Sequence, residues 1–365
     1  MAEQPVDPDE LQRLGLYDPD DEHAAARLEL IRYLVGLGAT VEDLARAEEG
    51  ELPGVAAMLA IRGRPTLTMA QAAARAGVSA ELAQRVYRAV GFPDPDPDAL
   101  VANEEDVDAL RALHGGMELL GREQMIQLTR VVGAALARIA DAMVSAFVVN
   151  VVAPSLDEDP EGIALARANA EAGALLRASG GGIDLLLRRH IDLAQRPLVM
   201  GVQETQPLAV GFVDLVGSTA LAQRLSMSEL GSLLTRFDEL ASDAILTGGG
   251  RFVKLIGDEV MFVASEPSTA CEIALDITTR LSADPQLPQG RGAVAAGDVL
   301  TRDGDYFGPV VNLAARAVKL ADPGCVLGSP DVARHARGFR FNTTGAQSLD
   351  GFDGPVELFR VERSA

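Results

Sequence analysis

Five acidic or basic side chains in the second half of the chain are spaced so that they could do chemistry together. Leu208-Ala209-Val210-Gly211-Phe212-Val213 is a strand-like run that ends in Asp214. A second stretch, Arg251 to Val263, consists of two β-rich runs flanking Gly257-Asp258. That dipeptide favours a tight reversal, so the spacing predicts a hairpin with Asp258 at its tip. Two carboxylates held on rigid strands can converge on a divalent cation, and oxygen donors suit Mg²⁺ or Mn²⁺ shared with substrate phosphates. Taken alone, such a pair reads equally well as structural. Lys254 precedes Asp258 on a strand otherwise filled with Phe252, Val253, Leu255 and Ile256, and by itself it reads as a surface lysine. Downstream, Asp303-Gly304-Asp305 forms a turn running into a helix. Asn312 and Arg316 there stand at i and i+4, on one face, where they can reach one ligand or simply face water.

The elements that must position these residues follow from the pattern after Pro207. The sequence predicts a strand at 208–214, helix 217–247, hairpin 251–265, helix 267–282, strand 291–299 and helix 309–320. Shorter strands are expected near 325–328, 338–344 and 356–362. A βαββαβ order is the ferredoxin-like layout, a sheet with helices on one face. Residues 1–195 carry helical periodicity instead. The expected division is therefore an all-α domain at 1–195, a linker at 196–207 with two prolines, and an α+β domain at 208–365.

Composition limits the classes of partner. A chain of 365 residues has room for two domains, each with its own core. The net charge of −21 argues against nucleic acid or an anionic membrane as the main partner. It also means that a polyphosphate must be held by metal ions or a locally basic site. Cys271 and Cys325 lack metal-ligand spacing and read as buried thiols in a reducing cytoplasm. The start is acidic and proline-bearing, unlike a basic signal peptide. Val131–Val152 is apolar, but Arg138 and Asp141 lie near its middle, so a buried packing helix is expected rather than a membrane span.

In the first half, Thr40 is expected to cap a helix with Asp43 three residues on. Residues 66–92 read as helix, turn and second helix, which resembles the start of a MerR-like DNA-binding domain, with Arg85 and Arg88 on the second helix. With no wider basic patch around it, a compact helical pair used for packing is the preferred reading. Gly180-Gly181-Gly182 is expected to bend or end a helix.

The second half resembles the class III nucleotide cyclases, the adenylyl and guanylyl cyclase family, over about residues 207–363. All six functional positions match: Asp214 in Phe-Val-Asp-Leu-Val-Gly-Ser-Thr, Lys254 and Asp258 in Lys-Leu-Ile-Gly-Asp, and then Asp305, Asn312 and Arg316. The resemblance implies two Mg²⁺ or Mn²⁺ ions per active site on Asp214 and Asp258. It implies that Arg316 stabilises charge on the α-phosphoryl group, that Asn312 orients the ribose, and that Lys254 and Asp305 read the base. A lysine only donates and an aspartate only accepts, which complements adenine at N1 and its 6-amino group and mismatches guanine. ATP is thus the implied substrate, and cyclic AMP and pyrophosphate are the products. In this family one domain supplies the metal aspartates and the other supplies the base-reading pair, asparagine and arginine, so a homodimer is implied.

The sequence departs from the family at Ser218, where a phenylalanine is common, and at Leu349–Gly354. There Asp350 and Asp353 stand where relatives carry a phosphate-binding cation, and Arg337 or Arg340 is expected to substitute. The whole chain looks like the soluble actinobacterial cyclases with a helical regulatory domain. A small-molecule or proton effector is expected to act there, with His190, between Arg189 and the linker, as the proton-sensing candidate. The alternatives are a transcription regulator that senses nucleotide with a cyclase-like domain, and a diguanylate cyclase. The intact set of six residues counts against the first. The missing Gly-Gly-Asp/Glu-Glu-Phe signature counts against the second.

Overall fold

The structure, a computed structural model, describes residues 7–47, 52–61, 64–153, 162–195 and 205–364. The chain separates into two compact units at position 200/201. Residues 1–6, most of the expected linker (196–204) and the proline-bearing interruption at 154–160 lie outside the described residues. Thr205, Gln206 and Pro207 already belong to the first strand, so the expected linker ends three residues too late.

The first unit is helical: α1 (Pro8–Arg13), α2 (Ala24–Gly36), α3 (Val41–Arg46), α4 (Leu52–Ile61), α5 (Met69–Ala76), α6 (Ala80–Val90), α7 (Glu104–Leu120), α8 (Arg122–Phe147) and α9 (Ile163–Gln195). Helix starts are fixed by side-chain caps. Thr40 accepts from Asp43 N while Asp43 bonds back to Thr40 N, and Thr68 with Gln71 and Asn103 with Asp106 repeat the device. Each such cap contributes about 1 kcal/mol. One apolar cluster joins α1–α4 to α9 through Leu30, Ile31, Leu34, Leu44 and Ala166. A second set, including Leu82, Val86 and Ile126, lies between α6, α7 and α8. Gly133 permits this packing, because a Cβ there would stand 2.2 Å from the carbonyl oxygen of Val90.

The helix–turn–helix at 66–92 is formed by α5 and α6 around Gly77 at φ 75°. Its second helix buries Leu82, Ala83, Val86 and Ala89. Arg85 is paired with Glu123 at 2.7 Å and Arg88 with Asp94 at 3.4 Å. Both arginines are therefore already matched to acidic partners, as in a packing pair.

Two expectations for this unit are corrected. Gly180–Gly182 do not end a helix, since α9 runs unbroken for 33 residues. Three glycines cost about 1 kcal/mol each relative to alanine, and the Leu- and Ala-rich turns on either side outweigh that. The stretch 131–152 is not buried within the chain. Together, α8 and the π-helical turn Val148–Val152 are long and apolar enough to cross a membrane. They leave Val132, Leu136, Ile139 and Met143 exposed on one stripe, at the four-three-four spacing of a helix-packing seam.

The second unit is built on β1 (Thr205–Leu215), β2 (Arg251–Ile256), β3 (Glu259–Ala264), β4 (Gly290–Arg302), β5 (Asp305–Phe307), β6 (Val326–Gly328), β7 (Phe339–Gln347) and β8 (Val356–Arg363). Its helices are α10 (Ser218–Ala222), α11 (Met227–Thr247), α12 (Pro267–Ala283), α13 (Pro309–Ala317) and α14 (Pro330–His335). The sheet order β2-β3-β1-β4 is the ferredoxin-like arrangement, and it is extended by β6-β8-β7, with β5 pairing β4. Side chains alternate between two interiors. Ala209, Val213, Phe262 and Val294 point to one face, where Phe237 of α11 and Ile273 and Ile277 of α12 cover them. Val210, Phe212, Met261, Ala293 and Ala295 point to the other, covered by Ala314 and Ala317 of α13 and by Val318. The expectation of helices on one face is thus incomplete, because α13 lies on the opposite one. That second face carries the predicted site residue Asp214.

Candidate active site

The period of two along adjacent strands places charges in a row. Asp214 of β1 pairs across the sheet with Glu259 of β3 on one side and Arg291 of β4 on the other. All three lie on the face bearing Phe212, Met261 and Ala293. Asp214 is buried, with 2% of its surface exposed. Arg291 reaches its Oδ2 through Nε at 2.8 Å and Nη2 at 2.7 Å. Lys319, on the one-turn 3₁₀ segment Val318–Leu320 after α13, donates to Asp214 Oδ1 at 2.9 Å. The same ammonium lies 2.6 Å from Glu259 Oε2. That oxygen has no hydrogen bond of good alignment, so the contact is an ion pair without a directed bond.

Burial pushes the Glu259 carboxyl above its ordinary value, against the pull of Lys319. For Lys319, burial alone acts to lower the pKa, but the ion pair with Glu259 and the bond to Asp214 prevail and raise it. The cluster is thus a set of mutually neutralised charges at the end of three central strands.

Asp258 occupies the predicted hairpin tip. Ile256 and Glu259 are the last pair of β2 and β3, and Gly257 takes φ 66°, which favours glycine in the two-residue turn. The Asp258 carbonyl accepts the Leu215 amide at 3.1 Å, which brings the tip beside the end of β1. Its carboxylate accepts the hydroxyl of Ser218, the first residue of α10. A cleft of about 450 Å³ opens here, lined by Ser218, Leu221, Gln223, Leu233, Gly257 and Asp258. Serine at the phenylalanine position therefore has a partner.

Lys254 and Asp305 meet although 51 residues separate them, the ammonium donating to Asp305 Oδ2. Asp305 Oδ1 accepts the Tyr306 amide at 2.9 Å. Two features make the meeting possible. A bulge between Phe252 and Lys254 turns Lys254 onto the face of Met261. The three-residue β5 adds to β4 and fixes Asp305, while the Arg251 guanidinium lies 6.0 Å from the Tyr306 ring centre. Asn312 and Arg316 are exposed on α13. Arg316 lies 3.9 Å from Asp350, the acidic residue standing where a cation was expected.

Arg337 and Arg340 do not join the site. Arg337 bonds to Ser268 Oγ and the Arg334 carbonyl, and Arg340 lies 3.9 Å from Glu362 on β8. The cations beside the metal-type aspartate are Arg291 and Lys319, neither of which was predicted. Both had a readable signal. Arg291 is the one charge in the small-residue run 290–297, and Lys319 continues the Asn312–Arg316 spacing by three more residues. His190 is exposed on α9.

Asp214 and Asp258 fit a hard divalent ion by donor chemistry. Among the described residues no group of three or more His, Cys, Asp or Glu forms a ready-made cage. The remaining ligands would be substrate and water oxygens, as is usual for Mg²⁺.

Comparison with known proteins agrees with this layout. The family model described as adenylate cyclase regulatory domain matches residues 9–189. The adenylate cyclase of Glutamicibacter nicotianae is 34% identical over 84% of this chain and 80% of its own length. The pH-sensitive adenylate cyclase MT1302 of Mycobacterium tuberculosis is 31% identical over 93% of this chain and 89% of its own length. The crystal structure of the adenylyl cyclase CyaB from P. aeruginosa aligns with 45% of this chain and 98% of that one, with 24% identity and a TM-score of 0.41. The second unit is a class III nucleotide cyclase domain. More narrowly, the whole chain belongs to the actinobacterial adenylate cyclase family that carries an N-terminal regulatory domain.

Proposed function

We propose that the chain cyclises ATP to cyclic AMP and pyrophosphate at two sites shared across a homodimer, under the control of its helical unit. The Lys254–Asp305 pair carries the substrate assignment. Its ammonium donates to adenine N1 and its carboxylate accepts from the 6-amino group, whereas guanine would set donor against donor and acceptor against acceptor. Each partner holds the other in place before the base arrives, which lowers the ordering cost of recognition.

Asp214 and Asp258 would hold two Mg²⁺ or Mn²⁺ ions, which supply Lewis-acid activation of the ribose 3′-hydroxyl and neutralise the triphosphate. In the reaction the 3′-oxygen bonds to the α-phosphorus, the bond from that phosphorus to the β-bridging oxygen breaks, and the hydroxyl proton is lost. Asn312 orients the ribose so that the attacking oxygen lies in line. Arg316 stabilises the charge gathering on the α-phosphoryl oxygens. Arg291, fixed on β4, would hold the Asp214 carboxylate in position.

Sharing the site between two copies is supported by exposed apolar surface on both units. The cross-strand partners Leu300 and Phe307 are exposed beside Asp305, and the α8 stripe is exposed on the helical unit. A second copy of this chain is the occupant that this reading assigns to both surfaces. Two buried free thiols, Cys271 and Cys325, accord with a cytoplasmic enzyme. His190 is assigned a pH-sensing role on the helical unit, supported by its exposure just before the junction and by a pH-sensitive relative.

Mixing Asp214→Ala and Lys254→Ala proteins, each impaired on its own, tests the shared site. One of the two sites in a mixed dimer regains both halves, so cyclic AMP synthesis should return to a sizeable fraction of the native rate. No recovery after demonstrated subunit exchange would refute the arrangement.

A further inference from the structure

Both oxygens of Asp214 are already taken by cations, and those cations differ in their freedom. Arg291 is three-quarters buried on β4, and its remaining nitrogen, Nη1, donates to the Lys319 carbonyl at 2.9 Å, so its position is fixed at both ends. Lys319 is half exposed, and only its terminal ammonium enters the cluster, lying between Asp214 Oδ1 and Glu259 Oε2. Its flexible stem starts on a short 3₁₀ turn at the surface rather than on the sheet. Glu259 has no part in the proposed chemistry, yet it is buried directly opposite Asp214 and has this ammonium as its ion-pair partner.

A divalent ion binding Asp214 must sit about 2.1 Å from a carboxylate oxygen. An ammonium at 2.9 Å from the same oxygen competes for that position and repels the incoming charge. We propose that Lys319 is a built-in competitor for the divalent cation at Asp214, an ammonium held on the ligand oxygen by Glu259 and displaced when the ion enters. The displaced ammonium is then free for the polyphosphate that arrives with the metal. Metal and nucleotide each provide what the other needs, the first by freeing Lys319 and the second by giving it a new anionic partner. Their binding is therefore reciprocally coupled. The inference rests on the reading of Asp214 as a metal ligand.

The test uses the full chain without nucleotide and measures Mn²⁺ binding by the electron paramagnetic resonance signal of free Mn²⁺. The rise of the thermal unfolding midpoint with Mn²⁺ gives a second readout. Lys319→Met should bind Mn²⁺ about tenfold more tightly than the native chain, the gain expected from removing one partly screened positive charge at contact distance. Lys319→Arg keeps the charge and should show no such gain. Unchanged Mn²⁺ affinity in Lys319→Met, or an equal gain in Lys319→Arg, overturns the proposal. If Lys319→Met does not fold, Lys319→Gln provides the same comparison with a polar side chain. Asp214→Asn separates the two levels of the argument. Loss of Mn²⁺ binding there with no change in Lys319→Met rejects the competitor alone, whereas native binding in Asp214→Asn rejects the metal-site reading itself.

Discussion

Lys254 and Asp305 form an ion pair between the edge strand β2 and the short β5, at the two ends of a 51-residue span. On the proposed reading of this pair, substrate choice is a property of how two strands meet rather than of one loop. Replacing Lys254 with alanine should lower kcat/KM for ATP about 10- to 100-fold, in line with about 1.5–3 kcal/mol for a hydrogen bond to a charged group. The preference for ATP over GTP should shrink in the same variant. Steady-state assays with both nucleotides check this, and unaltered discrimination would remove the pair from base reading.

Arg291 neutralises a carboxylate that is almost wholly enclosed. Arg291→Ala leaves Asp214 and Glu259 facing each other with only Lys319 between them. The expected loss of stability is about 2–3 kcal/mol, below the full cost of breaking a buried pair because Lys319 remains. Urea unfolding of the native and variant chains measures it.

The cap of α3 has an acid limit. Burial alone would raise the Asp43 pKa, but bonds from Thr40 and Arg64 outweigh it and hold the carboxyl below its ordinary value of 3.8. A depressed carboxylate contributes stability that is present above the unfolded value and is lost as pH falls through the folded one. Asp43→Ala should therefore cost about 1 kcal/mol at neutral pH, and the difference from the native chain should fade as pH drops below about 3.8. Thermal midpoints across the acid range give the comparison.

Cys271 sits in the apolar interior between sheet and helices, where burial pushes its thiol up to about 12. It should resist iodoacetamide at pH 8 in the native chain and react on unfolding, as mass spectrometry of the labelled peptide would report.

Control by the helical unit predicts that residues 205–365 alone differ from the full chain in specific activity at equal dimer fraction. Equal activity would remove the regulatory role. His190→Gln in the full chain should alter the pH–activity profile, and an unchanged profile would remove that residue from the proton response.

The regular elements were legible because their signals were local. Continuous apolar, β-branched runs marked β1 and β3, and the Thr40–Asp43 box marked the start of α3. Short or composite elements were not. The three residues of β5 are too few for periodicity, and the six of α14 depend on Ser329 as cap and Pro330 at the first position. The expected helix at 217–247 is two helices, and Ser226 with Glu229 was a readable restart signal. The six candidate positions could be named from the resemblance to the cyclase motifs, and the structure brings two of them, Lys254 and Asp305, into contact. Arg291 and Lys319 could not be named, because their partner is set by strand register and by where α13 returns over the sheet. Arg337 and Arg340 stand near the missing cation in sequence, but Arg337 is held by Ser268 and the register of β7 on β8 sets Arg340 against Glu362.

One extra residue in β2 decides which way Lys254 looks. Val253 is the insertion between the pairs Phe252–Phe262 and Lys254–Met261. Were Val253 instead paired with Met261 in an even ladder, Lys254 would stand opposite Val260 and point into the interior under α11 and α12, away from Asp305. The hairpin could still close, yet the proposed base reader would be gone, so on that reading fidelity is encoded in strand phase as much as in side-chain identity.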